Sequence, residues 1–240
     1  MAQTVETTPK TEILEKASKF FRDVIAPNHL SNLRKLKKLS SFSYNPFLIE
    51  YLAAFMGGKV TAENVAKILI YPRILGTSIN TSFGNNLQKF CSVALPGYGS
   101  AVAGIDLEFV DQVGGRRKYC QIKAGPQTIN KDDIETIDRH FKDIKNLAKT
   151  NSLDLRLTDL VVGVLYGTKA ELLDHYKRLG EDYQLFVGQE FWYRLTGDKD
   201  FYDDLIDEFG KIAIETNGKK ELDATIKQLA TEIAREFEVE

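Results

Sequence analysis

Two short runs of alternating apolar and polar residues meet at a pair of glycines, Gly114 and Gly115. The segment from Gly104 to Gln127 reads GIDLEFVDQVGGRRKYCQIKAGPQ. Period-two alternation marks strands, whose successive side chains point to opposite faces. A Gly-Gly pair between two such runs signals a tight hairpin. With Gly114 and Gly115 as a two-residue turn, Val113 opposes Arg116, Glu108 opposes Gln121 and Asp106 opposes Lys123. Directly opposed side chains share a face of the sheet. This register gathers Asp106, Glu108, Gln121 and Lys123 on one face, with Ile105, Leu107, Cys120, Ile122 and Ala124 on the other. Two carboxylates, an amide and an amine grouped in this way suit a cation and a phosphate.

The rest of the chain sets bounds on that hairpin. Its 240 residues suffice for one large domain or two small ones, and a 43% hydrophobic, 28% charged composition is ordinary for a globular protein. No apolar run approaches the roughly 18 residues that span a bilayer. The start, MAQTVETTPK, lacks the apolar centre of a signal peptide, so a cytoplasmic protein is expected. Cys91 and Cys120 give neither a disulfide framework nor metal-ligand spacing. The net charge of −2 conceals an uneven distribution. Residues 1–60 and 116–149 each carry 9 Lys/Arg against 5 Asp/Glu, whereas residues 181–240 carry 7 against 16. Basic charge therefore surrounds the hairpin, as a polyanion partner would require, or as an uneven solvated surface would also show.

Helical spacing dominates the N-terminal third. Thr11 to Ile25 places Ile13, Leu14, Ala17, Phe20, Phe21 and Val24 on one stripe, with Pro27 expected to stop it. A shorter helix is expected around Leu30, Leu33, Leu36 and Leu39, with Arg34, Lys35, Lys37 and Lys38 outside. Asn45 and Pro46 open a third helix that runs to Gly57, and Thr61 caps a fourth, Ala62 to Ile70, ended by Pro72. Ser78 to Leu95 reads as a further helix. After the hairpin, Asn130 caps a helix in which Asp133 completes a capping box and Ile129 and Ile134 form a hydrophobic staple. Leu160 to Gly167 reads as a buried strand, Glu171 to Leu179 as a helix and Tyr183 to Val187 as a strand. Helices follow from Glu190, with a break at Gly218. A hairpin followed by alternating helices and strands predicts an α/β fold with a mixed central sheet and helices on both faces.

Read alone, Asp106–Lys123 and Glu108–Gln121 are cross-strand polar pairs of a common kind. Three features point beyond that. The sheet is expected to be covered on both faces, where polar residues need a partner or a purpose; a capped helix follows Lys123 directly; and the flanks are basic. A carboxylate on a strand can fix Mg²⁺, which keeps several waters and takes phosphate oxygens, and a neighbouring Lys can position a water. Gln121 offers a carbonyl oxygen, as does the backbone of Ile122. His29, His140 and His175 have no partner at a telling spacing, and Trp192 reads as core. Gln127, Thr128, Asn130 and Lys131 follow the strand and open a helix. Such positions meet phosphate and base edges, although a plain helix cap is the first reading of Asn130.

The order Gly104-Ile105-Asp106, hairpin, Gln121-Ile122-Lys123, with a helix before and helix–strand after, resembles the PD-(D/E)xK nuclease superfamily. The stretches Lys118 to Ile134 (KYCQIKAGPQTINKDDI) and Gly188 to Ile206 (GQEFWYRLTGDKDFYDDLI) are similar to type II restriction endonucleases within it. The resemblance covers roughly residues 70–210. It implies a restriction-endonuclease-like core over residues 73–240 and an N-terminal helical region over residues 1–72, serving dimerisation or DNA contact, within one compact domain. It further implies Mg²⁺-dependent cleavage of double-stranded DNA by a homodimer at a roughly palindromic site, with no membrane and no small-molecule cofactor. Carried over residue by residue, Asp106 binds the metal, the position of Gln121 shares it and Lys123 assists the attacking water. Gln121 departs from the acidic residue of the pattern. Glu108 could supply the missing charge or be a plain surface residue, and Gln88 falls where some members place a further Glu. Arg116 and Arg117 join Gln127, Thr128, Asn130 and Lys131 as expected DNA contacts. A repair or junction-resolving nuclease, or a DNA-binding module that has lost catalysis, are the alternatives.

Overall fold

The computed structural model describes residues 9–95, 99–100, 102–152 and 154–237, with Gln88 and Phe237 described by backbone alone. The chain forms two compact units. Unit 1 comprises Met1–Ser18 and Leu87–Glu208, and unit 2 comprises Lys19–Asn86 and Phe209–Glu240. Residues 73–86 and 209–240, grouped with the hairpin in the sequence reading, thus lie with the N-terminal helices.

Unit 1 is built on a four-stranded sheet in the order β1 (Leu107–Val110), β2 (Arg117–Lys123), β3 (Leu160–Val164), β4 (Gln184–Val187). The first pair is antiparallel and the other two are parallel, which gives the expected mixed sheet. Parallel neighbours need crossovers, and α7 (Lys131–Thr150) and α8 (Asp174–Asp182) supply them. The α7 stripe Ile134, Ile137, Phe141, Ile144 and Ala148 is buried as predicted, and its four large members pack with Leu160, Val162 and Val164 on one sheet face. On the opposite face, α9 (Gln189–Thr196) lies so close to β3 that a Cβ at Gly163 would sit 2.6 Å from the Phe191 ring and 2.8 Å from the Cys120 sulfur. Phe109 meets Phe191 edge-on, and Trp192 Nε1 donates to the Leu165 carbonyl at 2.9 Å, which places the lone tryptophan in the core. Helices therefore cover both faces.

The hairpin register differs from the two-residue expectation. Leu107 pairs with Cys120, Glu108 with Tyr119, Phe109 with Lys118 and Val110 with Arg117. The turn is longer: Asp111 N donates to the Arg116 carbonyl at 2.9 Å, Gly115 N donates to the Asp111 carbonyl at 2.7 Å, and Asp111 Oδ1 accepts from Val113 N. A two-residue type I′ turn requires positive φ at both central positions, and only Gly115 adopts it here. Asp111 is also pinned through Oδ2 to Arg194 at 2.7 Å, which favours the wider turn. A shift of two preserves the faces but changes the partners. Asp106 precedes the ladder and bonds to Cys120 and Ile122 rather than standing opposite Lys123, and Glu108 lies opposite Tyr119 rather than Gln121. Ile105 is a second correction. It precedes the ladder and packs with the α7 core instead of with Leu107 and Cys120.

Unit 2 is helical. Ile49 and Ala53 of α3 (Pro46–Gly57), Val65, Ala66 and Ile70 of α4 (Ala62–Tyr71) and Ile226, Leu229 and Ile233 of α11 (Gly218–Phe237) share a core with Leu33, Leu36 and Leu39. The caps fall where predicted: the Asn45 side chain accepts from Phe47 N and the Thr61 side chain from Asn64 N. Neither Pro27 nor Pro72 stops its helix. Pro27 lies just after a π-helical turn, Phe21–Ile25, that joins α1 (Lys10–Phe20) to α2 (Ala26–Arg34), and Pro72 opens another, Pro72–Ser78, leading into α5 (Ile79–Asn85). The wider π turn leaves room at the point where a proline lacks an N–H and crowds the preceding turn. The expected helix at Leu30–Leu39 is helical only to Arg34, and Ser78–Leu95 breaks at Asn86 between α5 and α6 (Leu87–Ala94).

Asp159, 1% exposed, anchors the approach to β3. It accepts from Arg116 Nε at 3.0 Å, from Arg156 N at 3.0 Å and from the 5%-exposed Lys118 Nζ at 3.4 Å. Burial opposes its charge, but the Arg116 and Arg156 hydrogen bonds outweigh it and hold the carboxyl below the usual carboxylate range. Because the folded value lies below the unfolded one, this stabilisation is fully present above about pH 4–5 and fades as the pH falls through the folded value. Asp159→Ala leaves the Lys118 amine without its carboxylate and should cost about 3 kcal/mol. Urea unfolding should show that loss at pH 7, and a smaller one near pH 3.

Candidate active site

The C-terminal end of β2 and the residue before β1 converge on one point. Asp106 N donates to the Cys120 carbonyl at 3.1 Å, and Asp106 Oδ2 accepts from Ile122 N at 2.8 Å. Both backbone groups of a strand residue point to the same side, so the even-numbered residues of β2 face β1. The Ile122 carbonyl therefore opens toward the Asp106 carboxylate. Burial raises the Asp106 carboxyl above its ordinary range, with the Ile122 N–H, Lys123 and His140 offsetting part of that rise. Among the described residues, no lysine or arginine forms an ion pair with Asp106.

Lys123 is committed elsewhere. Its Nζ lies 2.6 Å from Asp133 Oδ1, and Asp133 is the third residue of α7 and the reciprocal member of the Asn130 capping box. Burial works against the Asp133 charge, but Lys123 and the Asn130 N–H prevail and lower its pKa. Gln121 is 8% exposed. Its amide nitrogen meets the Gly104 carbonyl and lies 2.7 Å from His140 Nδ1 on α7. With the Gly104 carbonyl accepting from the NH₂ end, the Gln121 oxygen is the end left to face a ligand.

Glu108 belongs to a different group: one oxygen accepts from Ser100 Oγ at 2.7 Å and the other lies 3.1 Å from Arg117. Arg116 is held by Asp159 and by Asp154 at 3.1 Å. Thr128 closes the turn on Gly125 through its hydroxyl, and the Asn130 side chain caps α7 by accepting from Asp133 N at 2.9 Å. Gln127 and Lys131 are exposed. The Gln88 side chain lies outside the described residues. Two members of the cluster were missed in the sequence. His140 sits three residues from Ile137 and four from Ile144, on the buried stripe, where an imidazole needs a polar partner. Asp133 reads as a cap alone until the fold brings Lys123 to it.

A divalent cation fits this donor set in part. No group of three His, Cys, Asp or Glu side chains forms a metal cage among the described residues. Mg²⁺ does not need one, since it is commonly held by one or two carboxylates with waters and phosphate oxygens completing the shell. Asp106, the Ile122 carbonyl and the Gln121 oxygen are the donors that fit, and Glu108 stands apart from them. A partly buried carboxylate without an ion-pair partner is itself a reason to expect a cation.

An α/β core of mixed sheet and flanking helices, with a lone carboxylate beside the end of a central strand and a lysine two residues beyond that strand's polar amide, is the frame of a restriction-endonuclease-like nuclease. The family model for type II restriction endonuclease EcoO109I matches residues 12–217, and the chain belongs to that family of site-specific deoxyribonucleases. A comparison with curated proteins gave no match.

The Gln121 contacts give a direct test. Gln121→Glu replaces a donor by an acceptor against the Gly104 carbonyl in a buried site. It should lower stability by about 1–3 kcal/mol in denaturant unfolding without added metal.

Proposed function

We propose that this endonuclease is Mg²⁺-dependent, acts in the cytoplasm, and cuts both strands of a roughly palindromic double-stranded site as a homodimer. The observation that carries the reading is Asp106: a half-buried carboxylate, bonded to Ile122 N, beside a lysine that is paired with Asp133. Asp106, the Ile122 carbonyl and the Gln121 amide oxygen would hold the cation, which when bound supplies polarisation of the scissile phosphate and a more acidic water. Lys123 then orients the attacking water and offsets charge building on the phosphate, with Asp133 fixing the position of its amine. His140 and the Gly104 carbonyl keep the Gln121 oxygen pointed at the site, so a neutral amide can stand where an acidic residue is usual. Gln127, Lys131 and Arg117 present exposed ends for phosphate and base contacts; Thr128, Asn130 and Arg116 shape the surface that carries them. A helical N-terminal region fits the second task of such an enzyme, holding two copies together. No described helix is long and apolar enough to cross a membrane.

Digestion of a plasmid with Mg²⁺ should yield discrete fragments with uniform ends, and a chelator should abolish it. Asp106→Asn should reduce cleavage at least about a hundredfold. In metal-free buffer the same change should raise the unfolding midpoint, because it removes a charge that burial disfavours while keeping an oxygen for Ile122 N. Lost cleavage with lost stability would instead make Asp106 a structural residue. The neutral Gln121 favours one rival, a DNA-binding module that has lost catalysis. Binding to DNA with no cutting in either Mg²⁺ or Mn²⁺ would select it.

A further inference from the structure

The parallel strands β2, β3 and β4 end level with one another: Lys123 pairs with Val164, and Val164 with Val187. The carboxyl ends of such strands are where open α/β sheets take their ligands. Leu165 N donates to the Lys123 carbonyl at 3.1 Å, so the β2–β3 pairing runs one residue past the strands. Gly125 and Tyr166, each two residues beyond the Lys123–Val164 pair, therefore come together at the rim.

Tyr166 is 43% exposed, yet its ring has a fixed seat. A Cβ built on Gly125 would stand 2.6 Å from Tyr166 Cε1 and collide outright with Cζ and the hydroxyl. The phenol thus fills the space of a side chain at position 125. That space continues a row. Gln121 and Lys123 share the α7 face of β2, where they meet His140 and Asp133. Val164, the neighbour of Lys123, packs toward α7 as well. Position 125 is the next on that face, about 7 Å past Lys123 at two residues of strand rise. An amide, an amine and a phenol therefore step outward along one face of the strand end.

Other tyrosines at this rim are spent on the fold. Tyr176 Oη donates to the Gly125 carbonyl at 2.8 Å, and Tyr202 Oη accepts from Gly167 N at 3.5 Å. The Tyr166 hydroxyl has no hydrogen-bond partner among the described residues. A free donor on a seated ring suits an acceptor that the substrate brings, and tyrosine is among the side chains that bond DNA phosphates.

We propose that the Tyr166 hydroxyl donates to a DNA phosphate next to the scissile one, and that position 125 is glycine so that the ring can stand there. The inference rests on the proposed function, which puts the scissile phosphate at Asp106 and Lys123. A phenol is neutral, so its contact releases no counterion and leaves the salt dependence of binding unchanged. It reads no base, so it serves every sequence alike. It is made before and during the reaction equally, so it acts on KM and not on kcat.

Fluorescence anisotropy in EDTA, with one labelled duplex carrying the cut site mapped by digestion and one of scrambled sequence, separates this contact from the chemistry. Tyr166→Phe should weaken binding to both duplexes about tenfold, with the slope of log affinity against log salt unchanged. With Mg²⁺ it should raise KM and hold kcat. Its unfolding midpoint should not move, because the lost hydroxyl has no partner in the chain. Gly125→Ala, which displaces the ring, should weaken binding alike, and the double variant should be no worse than either single one. Native affinity in Tyr166→Phe overturns the proposal. A loss confined to the mapped duplex would make the contact one to a base, and a lowered unfolding midpoint would make Tyr166 a structural residue; either result overturns it as well. Weakened binding to the scrambled duplex in a protein that never cuts would sustain the contact and count against the nuclease mechanism alone.

Discussion

The backbone of β2 serves two neighbours at once, and unit 1 is arranged around that fact. Its even-numbered residues present their amides and carbonyls to β1, and its odd-numbered residues present theirs to β3. Where β1 begins, the Asp106 side chain takes over from the strand as the partner of Ile122 N. The ladder ends there, and the Ile122 carbonyl is left looking at a carboxylate instead of at an amide. A polar site thus arises where pairing stops, at the edge of a sheet buried on both faces.

The features legible in the sequence were those set by local periodicity and capping. The α7 stripe, its capping box, the buried β3 run and the α3 and α4 caps follow from spacing and from which side chains can accept from an orphan N–H. The prolines were misleading because a proline rule assumes an α-helix. Two π-helical turns let the chain continue through Pro27 and Pro72, and no residue pattern announces such a turn. The hairpin misled by one device: Asp111, pinned by Arg194 from α9, sets a longer turn than the glycines alone suggest. That pin is 83 residues away in sequence, beyond the reach of any local reading.

The site was legible as a set of residues and opaque as a set of bonds. The spacing grouped Asp106, Gln121 and Lys123, and a register shift of two leaves Gln121 and Lys123 on one face of β2. Who touches whom depended on α7, which brings Asp133 to Lys123 and His140 to Gln121. Each of those partners already had a sufficient local explanation, one as a cap and the other as an unremarkable residue on an amphipathic helix. The charge count was similarly ambiguous. Arg116 belongs to the basic flank, yet its guanidinium is held by two aspartates, so only part of that flank is free for a polyanion.

The bond between Lys123 and Asp133 links two things that are usually separate. Asp133 also accepts from Asn130 N, so the amine at the end of β2 and the first turn of α7 are fastened by one carboxylate. The reach of the lysine is then set by whether that turn is wound. A ligand that draws on the Asn130 amide, or a fluctuation that frays the turn, loosens the amine in the same motion. The start of the helix thereby works as a latch on the side chain of the strand before it.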